Sequence, residues 1–97
     1  KKIINGRMYN TDTAKRLDWA SDGEGFSHWK EELTEETGEF FLYGEGGPAS
    51  PYARRCGQNG WSDGWTIAPI TEQQAREWAE RNLAADEYIE IFGEPEE

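Results

Sequence analysis

The chain contains no valine. Six Ile, four Leu and four Phe make up 14 of its 97 residues, below the roughly 20% at which a strongly charged chain becomes a candidate for disorder. Five Trp and four Tyr reverse that inference, because each large aromatic side chain can bury on the order of 150 to 250 Å². The chain can fold only by building its core from rings. A single domain over residues 1–97 is expected. Cys56 is the one cysteine, so no intrachain disulfide supports it.

Twenty acids against ten bases leave a formal net charge of −10. The imbalance is concentrated: residues 21–53 carry one base and eight acids, and residues 72–97 two bases and nine acids. Residues 1–20, with five bases and two acids, and 54–71, with two bases and one acid, are mildly basic. Such a chain repels phosphate backbones and anionic membranes and favours a protein partner with a basic surface. No run approaches the ~20 apolar residues that span a bilayer, and Lys1-Lys2-Ile3-Ile4-Asn5-Gly6 lacks the apolar region of a secretion signal. A cytoplasmic protein without direct nucleic-acid or membrane contact is expected.

Asn5-Gly6 predicts a hairpin over 2–9, since both central positions of a type I′ turn need positive φ. Asn10 or Thr11 as a cap, with Ala14, Leu17 and Trp19 or Ala20 near one face, predicts a helix over 11–20. A second hairpin over 29–44 turns at Thr37-Gly38, with Leu33 facing Leu42 and Glu35 facing Phe40. Its second strand reads as central and its first as nearer an edge, guarded by Lys30, Glu31, Glu32, Glu35 and Glu36. Residues 44–64 hold six Gly and two Pro and read as irregular, with one helical turn over Pro51–Arg55. A strand over 65–68 is expected to stop at Pro69. Thr71-Glu72-Gln73-Gln74 fits a capping box opening a helix over 72–83. Another over 85–92 buries Tyr88, Ile89 and Phe92 before a frayed acidic tail at about 94–97. The fold class is α+β, a small domain with a mainly antiparallel sheet packed by helices.

Several segments resemble a family of small acidic proteins from gut bacteria, their phages and integrated mobile elements. The matching residues are Ile3-Ile4-Asn5-Gly6, Tyr9-Asn10-Thr11 with Thr13-Ala14, Phe41-Leu42-Tyr43-Gly44-Glu45-Gly46-Gly47, Ser50 with Tyr52-Ala53, Pro69-Ile70-Thr71 and Trp78-Ala79. The Tyr-Gly-Glu-Gly-Gly stretch is the most distinctive. The resemblance implies a mobile-element accessory context and no particular activity, cofactor or catalytic residue.

Weighed by chemistry, most polar motifs read as structural. Cys56 has Arg54 and Arg55 beside it in sequence, but a reactive thiolate needs spatial contact with a cation or base. His28 and Cys56 alone cannot complete a metal tetrahedron, and Asp22-Gly23-Glu24 is too short for a calcium loop. Gly44-Glu45-Gly46-Gly47 is followed by Pro48 and Pro51 and carries an acid, unlike a phosphate-binding loop. Neither catalytic residue, metal nor cofactor is indicated.

Gly60-Trp61-Ser62-Asp63-Gly64-Trp65 offers two tryptophans that can serve as exposed anchors, although the scarcity of aliphatics favours folding them inward. Glu31, Glu32, Glu35 and Glu36 are a candidate acidic surface that could imitate a nucleic-acid backbone. The leading expectation is a non-enzymatic module that binds a basic protein, as a mobile-element accessory or a nucleic-acid-mimicking inhibitor of a host system. Its candidate binding residues are Tyr43, Glu45, Arg54, Arg55, Trp61 and Trp65. The alternatives are a small-ligand or enzymatic site near Tyr43, Glu45, Arg54, Arg55 and Cys56, and a self-associating module using Trp61 and Trp65.

Overall fold

A computed structural model describes residues 1–96. In chain order the elements are β1 (Lys2–Ile4), β2 (Arg7–Tyr9), β3 (Lys15–Asp22), a 3₁₀ turn (Gly25–Ser27), β4 (Trp29–Glu36), β5 (Glu39–Gly46), β6 (Arg54–Cys56), β7 (Gly60–Ser62), β8 (Gly64–Ile70), α1 (Glu72–Asn82) and α2 (Ala85–Phe92). Asn5 and Gly6, at φ 52° and 78°, make the two-residue turn between β1 and β2. Thr37 and Gly38, at φ 50° and 83°, do the same between β4 and β5. That turn sets Leu33 opposite Leu42 and Glu35 opposite Phe40, the register read from the sequence.

The main sheet is antiparallel, with strand order β3-β4-β5-β8; β1-β2 and β6-β7 are separate ribbons. This is a small α+β domain. Alternation along the strands gives the sheet two faces. On one, Leu33 packs with Ala75, Trp78 and Ala79 of α1, joined by Leu17, Ala20, Phe40, Leu42, Ile70, Tyr88 and Phe92. On the other, Phe41 and Ile67 pack under Tyr9 of the first hairpin, with Ile4, Ala14 and Tyr43 at the margin. Tyr9 meets Phe41 edge-to-face at 5.5 Å between ring centroids, the geometry favoured by opposed ring quadrupoles. Trp78 anchors the first core beside Leu33 and two alanines, and Tyr9 and Phe41 join Ile67 in the second.

Residues expected to form a helix over 11–20 form a turn and a strand instead. Asn10 accepts the Asp12 amide through Oδ1 and the Thr13 and Ala14 amides through its carbonyl, which closes a tight turn. Residues 15–22 then pair with β4, with a bulge between Arg16 and Asp18. The bulge puts Leu17 and Ala20, three residues apart, against the same core, and that spacing mimics a helical stripe. β4 is consequently an inner strand, not one near an edge, because β3 covers its outer side.

Three smaller expectations are also corrected. β8 runs through Pro69 to Ile70, which an edge strand tolerates because one row of its backbone amides has no partner strand. Residues 50–53 make a turn closed by the Ala53 amide on the Ser50 carbonyl, so no helical turn spans Pro51–Arg55 and Arg54 begins β6. Tyr88 and Phe92 pack on α1, whereas Ile89 faces solvent. The Thr71–Gln74 capping box forms as expected, with reciprocal hydrogen bonds of 3.1 and 2.9 Å. Of the expected tail, residues 94–96 carry no regular structure and residue 97 lies outside the described residues.

Behind the sheet, Glu31 ties three elements together. Its carboxylate accepts the Trp78 indole N–H at 2.9 Å and the Tyr52 hydroxyl. Tyr52 reaches it only because Gly44 has no side chain, for a Cβ there would overlap the Tyr52 ring. Burial first, and the hydrogen bond to Glu31 second, raise the Tyr52 pKa well above the ordinary phenol value.

Candidate functional site

The first hairpin covers only the Phe41–Ile67 end of its face of the sheet. Beyond it the same face continues through Trp19, Lys30, Glu32, Tyr43, Glu45 and Trp65, placed by register as cross-strand neighbours. Trp19 opposes Glu32, which opposes Tyr43; one row on, Lys30 opposes Glu45, which opposes Trp65. Lys30 Nζ lies 3.2 Å from Glu32 and 5.6 Å from the Trp19 ring centroid, and Arg16 adds a longer contact of 3.6 Å to Glu32. Glu32 is thus neutralised by two cations.

Glu45 differs. Its Oε2 accepts the Tyr43 hydroxyl at 3.1 Å, and among the described residues no ion pair reaches it or Asp63. The Tyr43 ring stacks on Trp65 at 6.1 Å and 29°. Burial, followed by the hydrogen bond and the negative charge of Glu45, pushes the Tyr43 pKa up to about 12. Tyr43 is therefore a fixed hydrogen-bond donor at neutral pH and orients Glu45.

At this end of the sheet the 3₁₀ turn and the loop after β5 close over the Gly46–Gly64 pair and form a cleft of about 550 Å³. Phe26, His28, Glu45, Asp63 and Trp65 are its chemistry-bearing walls. The loops are tied by backbone hydrogen bonds, Ala49 N–H to the Phe26 carbonyl at 2.7 Å and Gly47 N–H to the His28 carbonyl at 2.9 Å. A Cβ at Gly46 would sit 2.7 Å from that same His28 carbonyl, so the close approach needs glycine. The backbone of this rim is pinned while its side chains stand in solvent.

Trp65 and Trp61, expected to turn inward, are 51% and 55% exposed; Trp19 is 49% and Phe26 76% exposed. The rings of Phe41, Tyr9 and Trp78 already fill the two cores. Tyr43, Glu45 and Trp65 come together as a unit. Arg54, Arg55, Cys56 and Trp61 belong to the β6-β7 ribbon, where Arg55 lies 5.6 Å from the Trp61 ring centroid, Cys56 is exposed and free, and the Arg54 Cβ comes close to Gly64. None of these four lines the cleft.

The glutamates of the candidate acidic surface divide by strand alternation. Glu31 and Glu35 share the helix-packed face with Leu33, Glu32 and Glu36 the opposite one. Glu31 is taken up by Tyr52 and Trp78, and Glu32 by Lys30 and Arg16. They do not form one surface. Among the described residues no group of three or more His, Cys, Asp or Glu is placed to hold a metal ion, and no helix is long and apolar enough to cross a membrane.

Sequence reasoning missed Trp19, Phe26, His28 and Asp63 as site residues. Trp19 was hidden by the helical reading of 11–20. Phe26 and His28 reach the cleft through contacts with residues about twenty positions away, for which no local signal exists. Asp63 lay within the glycine-bounded tryptophan loop, whose Trp-Ser-Asp-Gly-Trp pattern was a usable signal. Compared with protein-family models, with curated proteins and with solved structures, the chain matches none.

Proposed function

We propose that this domain binds a protein with a basic surface through the uncovered end of its four-stranded sheet. The observation that carries the reading is the exposure of Phe26 and Trp65 beside the carboxylates of Glu45 and Asp63, which make no ion pair among the described residues, with Trp19 exposed at the far edge of the same face. Large apolar rings in solvent cost free energy unless a partner covers them, and tryptophan is enriched among residues that dominate binding. Trp19 and Trp65 stand on opposite edge strands, separated by three strand spacings of about 4.8 Å. The net charge of −10 favours a cationic partner and makes association fast and salt-sensitive.

A cytoplasmic setting suits the exposed free thiol of Cys56, which a reducing compartment preserves. Should the partner handle nucleic acid in the host, the domain would act as its antagonist, as the resemblance to mobile-element proteins implies. That role would rest on the cleft carboxylates and the net charge, because Glu31, Glu32, Glu35 and Glu36 point to two faces.

The test is capture of binding proteins from the source organism with wild-type and Trp19→Ala/Trp65→Ala baits, then titration of the purified partner at low and high salt. A basic partner that the wild type binds and the double variant binds at least about 30-fold more weakly supports the reading, since hot-spot residues cost about 2 kcal/mol or more each. Equal binding by both baits, or affinity indifferent to salt, refutes it.

A further inference from the structure

The cleft beside Trp65 has a more specific chemistry than a general acidic surface. Glu45 opposes Trp65 across the strand pair, so its carboxylate sits beside the indole on one face of the sheet. Tyr43 holds Glu45 by Oε2 and stacks behind the indole, which fixes both. Its other cross-strand neighbour, Lys30, is turned away onto Glu32 and Trp19 and makes no ion pair with Glu45. Asp63 adds a second carboxylate and Phe26 a second exposed ring, around a volume of about 550 Å³. Among the described residues no lysine or arginine lines this space.

We infer that the cleft seats an arginine side chain of the partner, its guanidinium flat on Trp65 and hydrogen-bonded by Glu45 and Asp63. The inference rests on the protein-binding reading and names the group recognised. A guanidinium is planar, weakly hydrated and forked, so one group can both stack on a ring and bridge carboxylate oxygens. An ammonium can meet a ring and a carboxylate, as Lys30 does at Trp19 and Glu32, but as a strongly hydrated point charge it has neither the planar face nor the fork of a guanidinium. Anionic ligands are repelled by two unpaired carboxylates, and an uncharged planar group would leave those carboxylates without a countercharge.

The experiment uses ¹⁵N-labelled protein titrated with acetyl-Gly-Arg-Gly-amide and with its lysine and citrulline counterparts, following the Trp65 indole N–H signal, assigned with a Trp65→Phe variant. The arginine peptide should shift Trp65 and the amides of Gly46 and Gly64 saturably. The lysine peptide should bind about fivefold more weakly, and citrulline, equal in shape but uncharged, should give no saturable shift. Glu45→Gln and Asp63→Asn, which preserve shape, should each weaken the arginine peptide about tenfold. Equal binding of arginine and citrulline peptides, or shifts centred on Trp19 or Trp61, overturns the inference. If it fails while basic-partner capture still depends on Trp19 and Trp65, only the arginine assignment falls; if the capture dependence is also lost, the protein-binding reading falls with it.

Discussion

The ring of Tyr52 occupies the space that a side chain on Gly44 would fill, and from there its hydroxyl reaches the Glu31 carboxylate on the neighbouring strand. Gly44→Ala must therefore displace the ring and with it the hydrogen bond to Glu31. A loss of about 2 to 3 kcal/mol is expected, in the upper range for overpacking. Tyr52→Phe keeps the ring and removes one hydrogen bond to a carboxylate, for about 1 to 2 kcal/mol. Urea denaturation of both variants checks the order: Gly44→Ala should be the more damaging.

Alkaline pH should unfold the domain through its tyrosines. Tyr43 is held up to about 12 by burial and by Glu45, and Tyr52 is raised by burial and by Glu31. Both pKa values lie above that of an unfolded tyrosine, about 10. Their contribution to stability is therefore complete below about pH 10, where folded and unfolded states are both protonated. It is lost as pH climbs from there through the folded values, because the unfolded chain gives up its protons first. Stability measured from pH 9 to 12 should fall in the wild type and fall less steeply in a Tyr43→Phe/Tyr52→Phe variant.

α1 depends on its first turn. Thr71→Ala removes the acceptor for the Gln74 amide and should cost about 1 kcal/mol. Gln74→Ala removes the reciprocal bond to the Thr71 amide and should cost less, because water can satisfy that exposed donor. Thermal denaturation followed by far-ultraviolet circular dichroism distinguishes the two.

Fluorescence should divide the tryptophans by position. Trp19, Trp61 and Trp65 are about half exposed and should be quenched readily by acrylamide, a neutral quencher indifferent to the protein's charge. Trp78, buried against Leu33 and bonded to Glu31, should resist. Trp61→Ala should leave stability within about 0.5 kcal/mol of wild type, as surface substitutions generally do. A loss of several kcal/mol would show that the β6-β7 ribbon is integral to the core.

Legibility followed locality. The two tight turns and the capping box are set by residues within four positions of one another, and each was readable from Asn5-Gly6, Thr37-Gly38 and Thr71-Gln74. β3 was not readable, because one inserted residue changed the Leu17–Ala20 spacing from the period of a strand to nearly that of a helix. Tyr43 and Glu45 were candidates from the end of a strand and from the glycine stretch after it; that they stand two apart on one strand face follows from β5 running on to Gly46. Phe26 and His28 join them through loop closure over Gly46 and Gly47, which pairs distant backbone groups and leaves no periodic trace. Exposure of Trp61 and Trp65 was misjudged because counting rings does not show how few of them two thin cores can hold.

The bulge in β3 and the proline in β8 sit on the sheet's two outer strands. Both make poor templates for an added strand, so a partner at the proposed site would be met by side chains and not by continuing the backbone ladder. Recognition written in side chains can be revised one substitution at a time. Trp19, Glu45, Asp63 and Trp65 can be exchanged without disturbing any backbone hydrogen bond that defines the sheet, so the chemistry of the proposed site is separable from the stability of the fold that carries it.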